Sequence, residues 1–110
     1  MNPWIILILA GFFEVGFTTC LGKAKSALGY HWHFWMFGFL VCLLLSMFLL
    51  TKAIESIPIG TAYAVWTGIG AVGSVVLGIL LFDEPAGMWR LFFIFTLIAS
   101  IVGLKFVSNG

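Results

Sequence analysis

From Ser56 to Phe82 the chain carries no charged side chain. A soluble domain would have to wrap such a run in polar surface, and soluble domains carry about 25% charged residues. Of the 110 residues here only 8% are charged, while 63% are hydrophobic. The solvent that suits this composition is a lipid bilayer. Its hydrocarbon core is ~30 Å thick and is crossed by roughly 20 helical residues. Applied along the chain, this criterion predicts an all-α membrane protein with four transmembrane helices, at about 3–21, 33–51, 58–82 and 88–106, in one domain over 1–110. The joints between them are short, so neighbouring helices are expected to run antiparallel.

The joints are marked by polar and turn residues. Gly22 to Ser26 forms the first, with a further break at Gly29, and Lys52 and Glu55 bracket the second. Pro58 opens the third segment, with Ser56 as its candidate cap, and Asp83 to Gly87 is a compact third turn. Lys105 closes the last segment, where its stem can snorkel to the interface. The apolar N-terminus lacks a preceding Lys or Arg and a clear small-residue cleavage site, so it is read as the first span and not as a cleavable signal.

One residue contradicts this solvent. Glu14 is the lone charged side chain in the first span. An acidic group at that depth costs roughly 2.5–3.5 kcal/mol on insertion scales, and such groups face protein or water and mark a task. The structural alternative is a protonated carboxyl bonded to a neighbouring helix. Gly11, Thr18, Leu7 and Leu21 share its face at helical spacing. Gly11 leaves room beside the carboxyl, Thr18 offers a hydroxyl, and Leu7 and Leu21 read as packing positions.

The third segment adds rings. Tyr63 and Trp66 stand at i and i+3, on a row that extends to Ile59 and Gly70. Aromatic faces attract cations, and Ser46 in the second span can bring a hydroxyl to the same pocket. Carboxylate, hydroxyl and two aromatics describe a site for a small organic cation. Proton and cation then compete for one carboxylate, which is the basis of exchange.

Other classes find less support. With a net charge of +1 and no basic run, a nucleic-acid partner is not expected. A membrane enzyme would need a paired acid, a nucleophile or a metal cluster beside the carboxyl. His31 and His33, two residues apart, do not share a helix face, and no metal or cofactor is expected. Cys20 and Cys42 read as small apolar fillers, with neither a disulfide nor a metal pair between them. A non-transporting membrane subunit of the same fold is a further reading, but it leaves Glu14 without a purpose.

Three stretches carry a resemblance: Ala10-Gly-Phe-Phe-Glu-Val15, Ser46, and Ser56-Ile-Pro-Ile-Gly-Thr-Ala-Tyr-Ala-Val-Trp-Thr-Gly-Ile-Gly-Ala-Val-Gly73. With them the chain resembles the small multidrug resistance family, most closely its guanidinium-exporting branch. The resemblance implies an antiparallel, dual-topology dimer in the bacterial inner membrane. By alternating access it would exchange protons for small organic cations, of guanidinium type first and quaternary ammonium or hydrophobic cations second. It implies that Glu14 binds proton or substrate, and that Ser46, Tyr63 and Trp66 are the binding-site hydroxyl, gating tyrosine and pocket tryptophan. It implies a kink at Gly68 and Gly70, and dimerisation through the fourth helix around Ala99 and Gly103.

The charges fit either dual insertion or a single orientation. Lys23, Lys25 and Arg90 fall on one side and Lys52 and Lys105 on the other, a weak positive-inside bias. Two departures stand beside Glu14. Phe17 replaces the tryptophan usual in guanidinium exporters, removing an indole donor, and Thr18-Thr19 resembles the drug-exporting branch. The first loop is also unusual. A homodimer and a pairing with another subunit of the family are both open on these residues.

Overall fold

The computed structural model describes residues 2–107. Four helices occupy them: α1 (Pro3–Lys25), α2 (Tyr30–Ala53), α3 (Ile59–Leu81) and α4 (Met88–Val107). Each is long and apolar enough to cross a membrane.

Both ends of the first joint differ from the sequence expectation. α1 continues through Lys23 to Lys25, because basic residues suit the negative end of the helix dipole. The Lys23 Nζ lies over the Phe82 ring, 5.6 Å from its centroid. α2 begins at Tyr30, three residues earlier than expected, immediately after Gly29 at φ 63°. That left-handed conformation lets the chain reverse in a few residues, and glycine adopts it without steric cost. His31 and His33 take local partners there. The first stacks on Tyr30 at 4.4 Å, and the second lies 3.2 Å from the Gly29 carbonyl through Nδ1.

At the other end of the bundle, Asn2 caps α1 by accepting from the Trp4 amide at 2.8 Å, with Pro3 in the first turn. Pro58 is itself the residue before α3, and its carbonyl accepts from the Ala62 amide. Ser56 therefore does not cap α3. It belongs to the turn that ends α2, where its amide donates to the Ala53 carbonyl at 3.1 Å.

α1 is central. It packs along α2 and α3, while α4 packs on α3. The buried core gathers Trp4, Leu7, Ala10, Ala53, Ile57, Ala62, Val65 and Trp66, at the start of α1, the end of α2 and the start of α3. Leu7 is fully buried there as expected of a packing position, but Leu21 at the far end of the same face is exposed. α4 contributes no buried residue. The extents of 48 × 35 × 18 Å describe a slab, thin in one direction.

Candidate cation site

The site is built where α1 meets α3. Four contacts run in the same order along both helices, so the two are parallel. Ile69 lies against Gly11, 2.6 Å from where a Cβ there would stand. The Glu14 carboxyl occupies the space a Cβ at Gly70 would need, and Val15 does the same at Gly73. One turn further, Thr18 Oγ1 and Ser74 Oγ form a hydrogen bond of 2.6 Å. The Thr18 hydroxyl also lies 2.9 Å from the Val15 carbonyl, to which it donates, leaving the Ser74 hydroxyl to donate to Thr18. Glycines at 11, 70 and 73 thus let side chains of the opposite helix sink to backbone level.

Glu14 differs from the groups around it. Its Oε1 is buried and has no hydrogen-bond partner among the described residues. Polar groups removed from solvent are normally paired. A lone carboxyl oxygen in this position has its hydrogen-bonding capacity open to a proton or a donor-bearing cation.

A second polar chain joins three helices beside it. The Trp66 indole Nε1 donates to Ser46 Oγ at 2.9 Å, and the Ser46 hydroxyl donates to the Ala10 carbonyl at 2.7 Å. Ala10 is the helical acceptor for the amide of Glu14 four residues later. Ser46 is fully buried. Its bond crosses to α1, where an isolated serine in a helix more often turns to its own carbonyls. Since Ser46 spends its proton on Ala10 and accepts from Trp66, it ties the pocket together.

The two rings diverge in exposure. Trp66 is 7% exposed and Tyr63 57%, with centroids 5.7 Å apart. Tyr63 is the open edge of a ring pair whose inner member is fixed. Trp66 and Gly70 lie one turn apart on the same face of α3, so the fixed indole adjoins the glycine that receives the carboxyl.

Phe17 is placed differently. Its ring meets Phe39 of α2 edge-on, 5.6 Å between centroids and 83° between planes. α3 is an uninterrupted α-helix through Gly68 and Gly70. Both glycines are packing surfaces, Gly68 receiving Ile101 of α4 as Gly70 receives Glu14. In α4, Ala99 and Gly103 are exposed, with nothing within 4 Å of where a Gly103 side chain would begin. The sequence reading did not find Ser74 or Ile69. Ser74 lies 56 residues from its partner Thr18, a pairing without local signal.

Two hollows flank the α1–α3 contact. An apolar groove of about 490 Å³ runs between α1, α3 and α4 past Phe12, Val15 and Ile98. A smaller one of about 170 Å³ is lined by Thr18, Thr19, Ser74 and Glu84. The Glu84 carboxyl at its mouth is held by Arg90 at 2.7 Å.

A family model described as Small Multidrug Resistance protein matches residues 2–98. The chain belongs to the small multidrug resistance family. With its four apolar spans it is a multi-pass membrane protein. Within the family, it is 45% identical over 105 residues to a guanidinium exporter of Yersinia pseudotuberculosis, covering 96% of this chain and 98% of that one. It is 43% identical over 105 residues to a probable guanidinium efflux system subunit, GdnD, of Bacillus licheniformis, with the same coverage. A second probable subunit of that organism, GdnC, is 42% identical over 110 residues, covering 96% and 92% of the two chains. For a small multidrug resistance protein of this length, the similarity is continuous and not confined to one motif.

Proposed function

We propose that this chain exports small organic cations of guanidinium type in exchange for protons, working as an antiparallel dimer in the bacterial inner membrane. One observation carries the reading. The sole acidic residue within the four spans has a buried carboxyl oxygen with no partner among the described residues. The names of the relatives, guanidinium exporter and probable guanidinium efflux subunit, supply the substrate class.

The chemistry follows from the carboxyl. Ionised, Glu14 pairs with a planar cation whose N–H groups suit carboxylate oxygens in a bidentate fork. Protonated, it is neutral and releases the cation. A site that faces either side of the membrane with only one of the two bound converts this competition into coupling. Tyr63 and Trp66 offer ring faces to the cation, and Thr18 and Gly11 line the carboxyl's surroundings. The slab, 18 Å in its shortest extent, supports a dimer, since a chain this small is expected to need a second copy to wall a cavity.

The test is electrical. Purified protein in liposomes should pass current when guanidinium is applied, and less with a tetraalkylammonium ion of similar concentration. Larger current with the tetraalkylammonium ion would move the substrate class to quaternary ammonium. Current with neither would overturn the transport reading. A mixed dimer is the second arrangement, favoured by the two Bacillus licheniformis relatives each being named a subunit. Activity only on co-expression with another family member would select it.

A further inference from the structure

Away from Glu14, the fold brings two thiols together that the sequence reading treated as separate fillers. Cys20 of α1 and Cys42 of α2 are free and partly exposed. Both side chains point into the α1–α2 contact, one helical turn apart. Their seats are reciprocal. Cys42 Sγ is 3.1 Å from where a Cβ on Gly16 would stand, and Cys20 Sγ is 3.1 Å from the same point on Gly38. Gly16 precedes Cys20 by one turn on α1, as Gly38 precedes Cys42 on α2. Each sulfur therefore fills the space left by a glycine on the antiparallel helix.

We propose that Cys20 and Cys42 form a binding site for a soft, two-coordinate divalent cation of the mercury(II) type. Thiolate sulfur selects soft ions. The number of donors selects among them. No group of three or more His, Cys, Asp or Glu occurs among the described residues, so a tetrahedral zinc centre lacks its ligands. Two sulfurs complete the shell of a linear d10 ion.

Register argues against a disulfide at the same place. The Cβ of Cys42 is 3.8 Å from the would-be Cβ of Gly16, so positions 16 and 42 are the facing pair. Cys20 is four residues away along α1, about 6 Å. A disulfide needs Cβ atoms roughly 3.5–4.5 Å apart. A bridging ion spans the diagonal that a direct S–S bond does not.

The charge also balances. Two S–H bonds break, two metal–sulfur bonds form, and two protons leave with the two halides of the incoming neutral dihalide. No electron is transferred. A divalent ion on two thiolates is neutral, the state a low-dielectric setting tolerates, and metal binding to thiols releases protons.

The full chain, reduced and in mild detergent, is titrated with mercuric chloride and followed by intact mass and free-thiol count. One ion should bind per chain, removing both thiols together and releasing two protons. Cys20→Ser and Cys42→Ser should each weaken binding about 100-fold, as expected when a linked second contact is lost. Methylmercury, which forms one bond to sulfur, is the control on the unmutated protein. It should add twice per chain and more weakly than the divalent ion binds. Two mercuric ions per chain, one ion shared between chains, or equal affinity for the two mercurials would each overturn the site. So would loss of two hydrogens with no metal retained.

Discussion

The Glu14 carboxyl rests on Gly70, in the space where any other residue would place its Cβ. The glycine that the family resemblance marks as a kink is here the floor under the acidic group. Substituting Gly70→Ala should push the carboxyl off α3. Overpacking of this kind costs about 1–3 kcal/mol, and each 1.4 kcal/mol is about tenfold in an equilibrium. Guanidinium transport in liposomes should fall roughly tenfold or more while the protein still purifies folded. Unchanged transport would mean that the carboxyl works equally well away from this seat.

Glu14→Gln keeps the shape and removes the exchangeable charge. The amide neither trades a proton for a cation nor attracts one electrostatically, so cation-driven proton movement should disappear. Insertion and oligomeric state should be unaffected. In the unmutated protein the sign of the pH effect is fixed by the competition. If proton and cation compete for Glu14, apparent cation affinity should fall as pH falls, by up to tenfold per unit for each of the dimer's two carboxyls that gives up a proton, and the release of both for one monovalent cation moves net charge. Binding measured over a pH series checks this, and affinity that rises towards acid would contradict it.

The polar chain Trp66–Ser46–Ala10 calls for a double-mutant cycle. Ser46→Ala leaves the buried indole N–H without an acceptor, which costs about 1–3 kcal/mol. Trp66→Phe removes that donor. Thermal stability in detergent should therefore drop with Ser46→Ala alone, and less than additively when both changes are combined. Strictly additive losses would show that the indole and the hydroxyl stabilise the fold independently.

The four spans were legible because a bilayer imposes length and apolarity, both readable without periodicity. Glu14 was legible because it is a lone charge in one of those spans. Helix ends were less so. Lys23 and Lys25 looked like a joint, yet the end of α1 accommodates them, since their charges oppose the helix dipole and Lys23 reaches over Phe82. Long-range pairings left no local trace. Thr18 with Ser74 and Cys20 with Cys42 each depend on helix register, which single-helix spacing does not encode. Gly70 shows a subtler limit. A glycine that permits bending and one that receives a neighbouring side chain have the same letter, and the opposite helix shows which contact is made.

Phe17 offers a direct comparison of two roles. In the sequence it stands beside Glu14 in the place of the tryptophan usual in guanidinium exporters, while its ring meets Phe39 edge-on. Phe17→Trp enlarges a ring in an α1–α2 contact, so thermal stability should fall, by about 1–3 kcal/mol where overpacking is not relieved. If the residue also selects substrate, the ratio of guanidinium to alkylguanidinium currents should rise with the same change. A stability loss with an unchanged ratio would confine Phe17 to packing.

The fourth helix makes the last prediction. In a membrane, helices associate through close backbone packing and small residues, because lipid tails are as apolar as leucine. α4 packs on α3 and buries no residue of its own. Ala99 and Gly103, at small-xxx-small spacing, are exposed, and the space beside Gly103 is open. If a second chain covers this face, a leucine at position 103 should hold the two backbones apart without disturbing the fold of either chain. Gly103→Leu should then shift the protein towards monomer in mild detergent, with transport falling in proportion to the dimer lost. Ala99→Leu, one turn earlier on the same face, should act in the same direction. The size of the detergent-solubilised particle, measured by light scattering over a dilution series, separates the outcomes. A dimer fraction unchanged in both variants would place the contact between chains on another face.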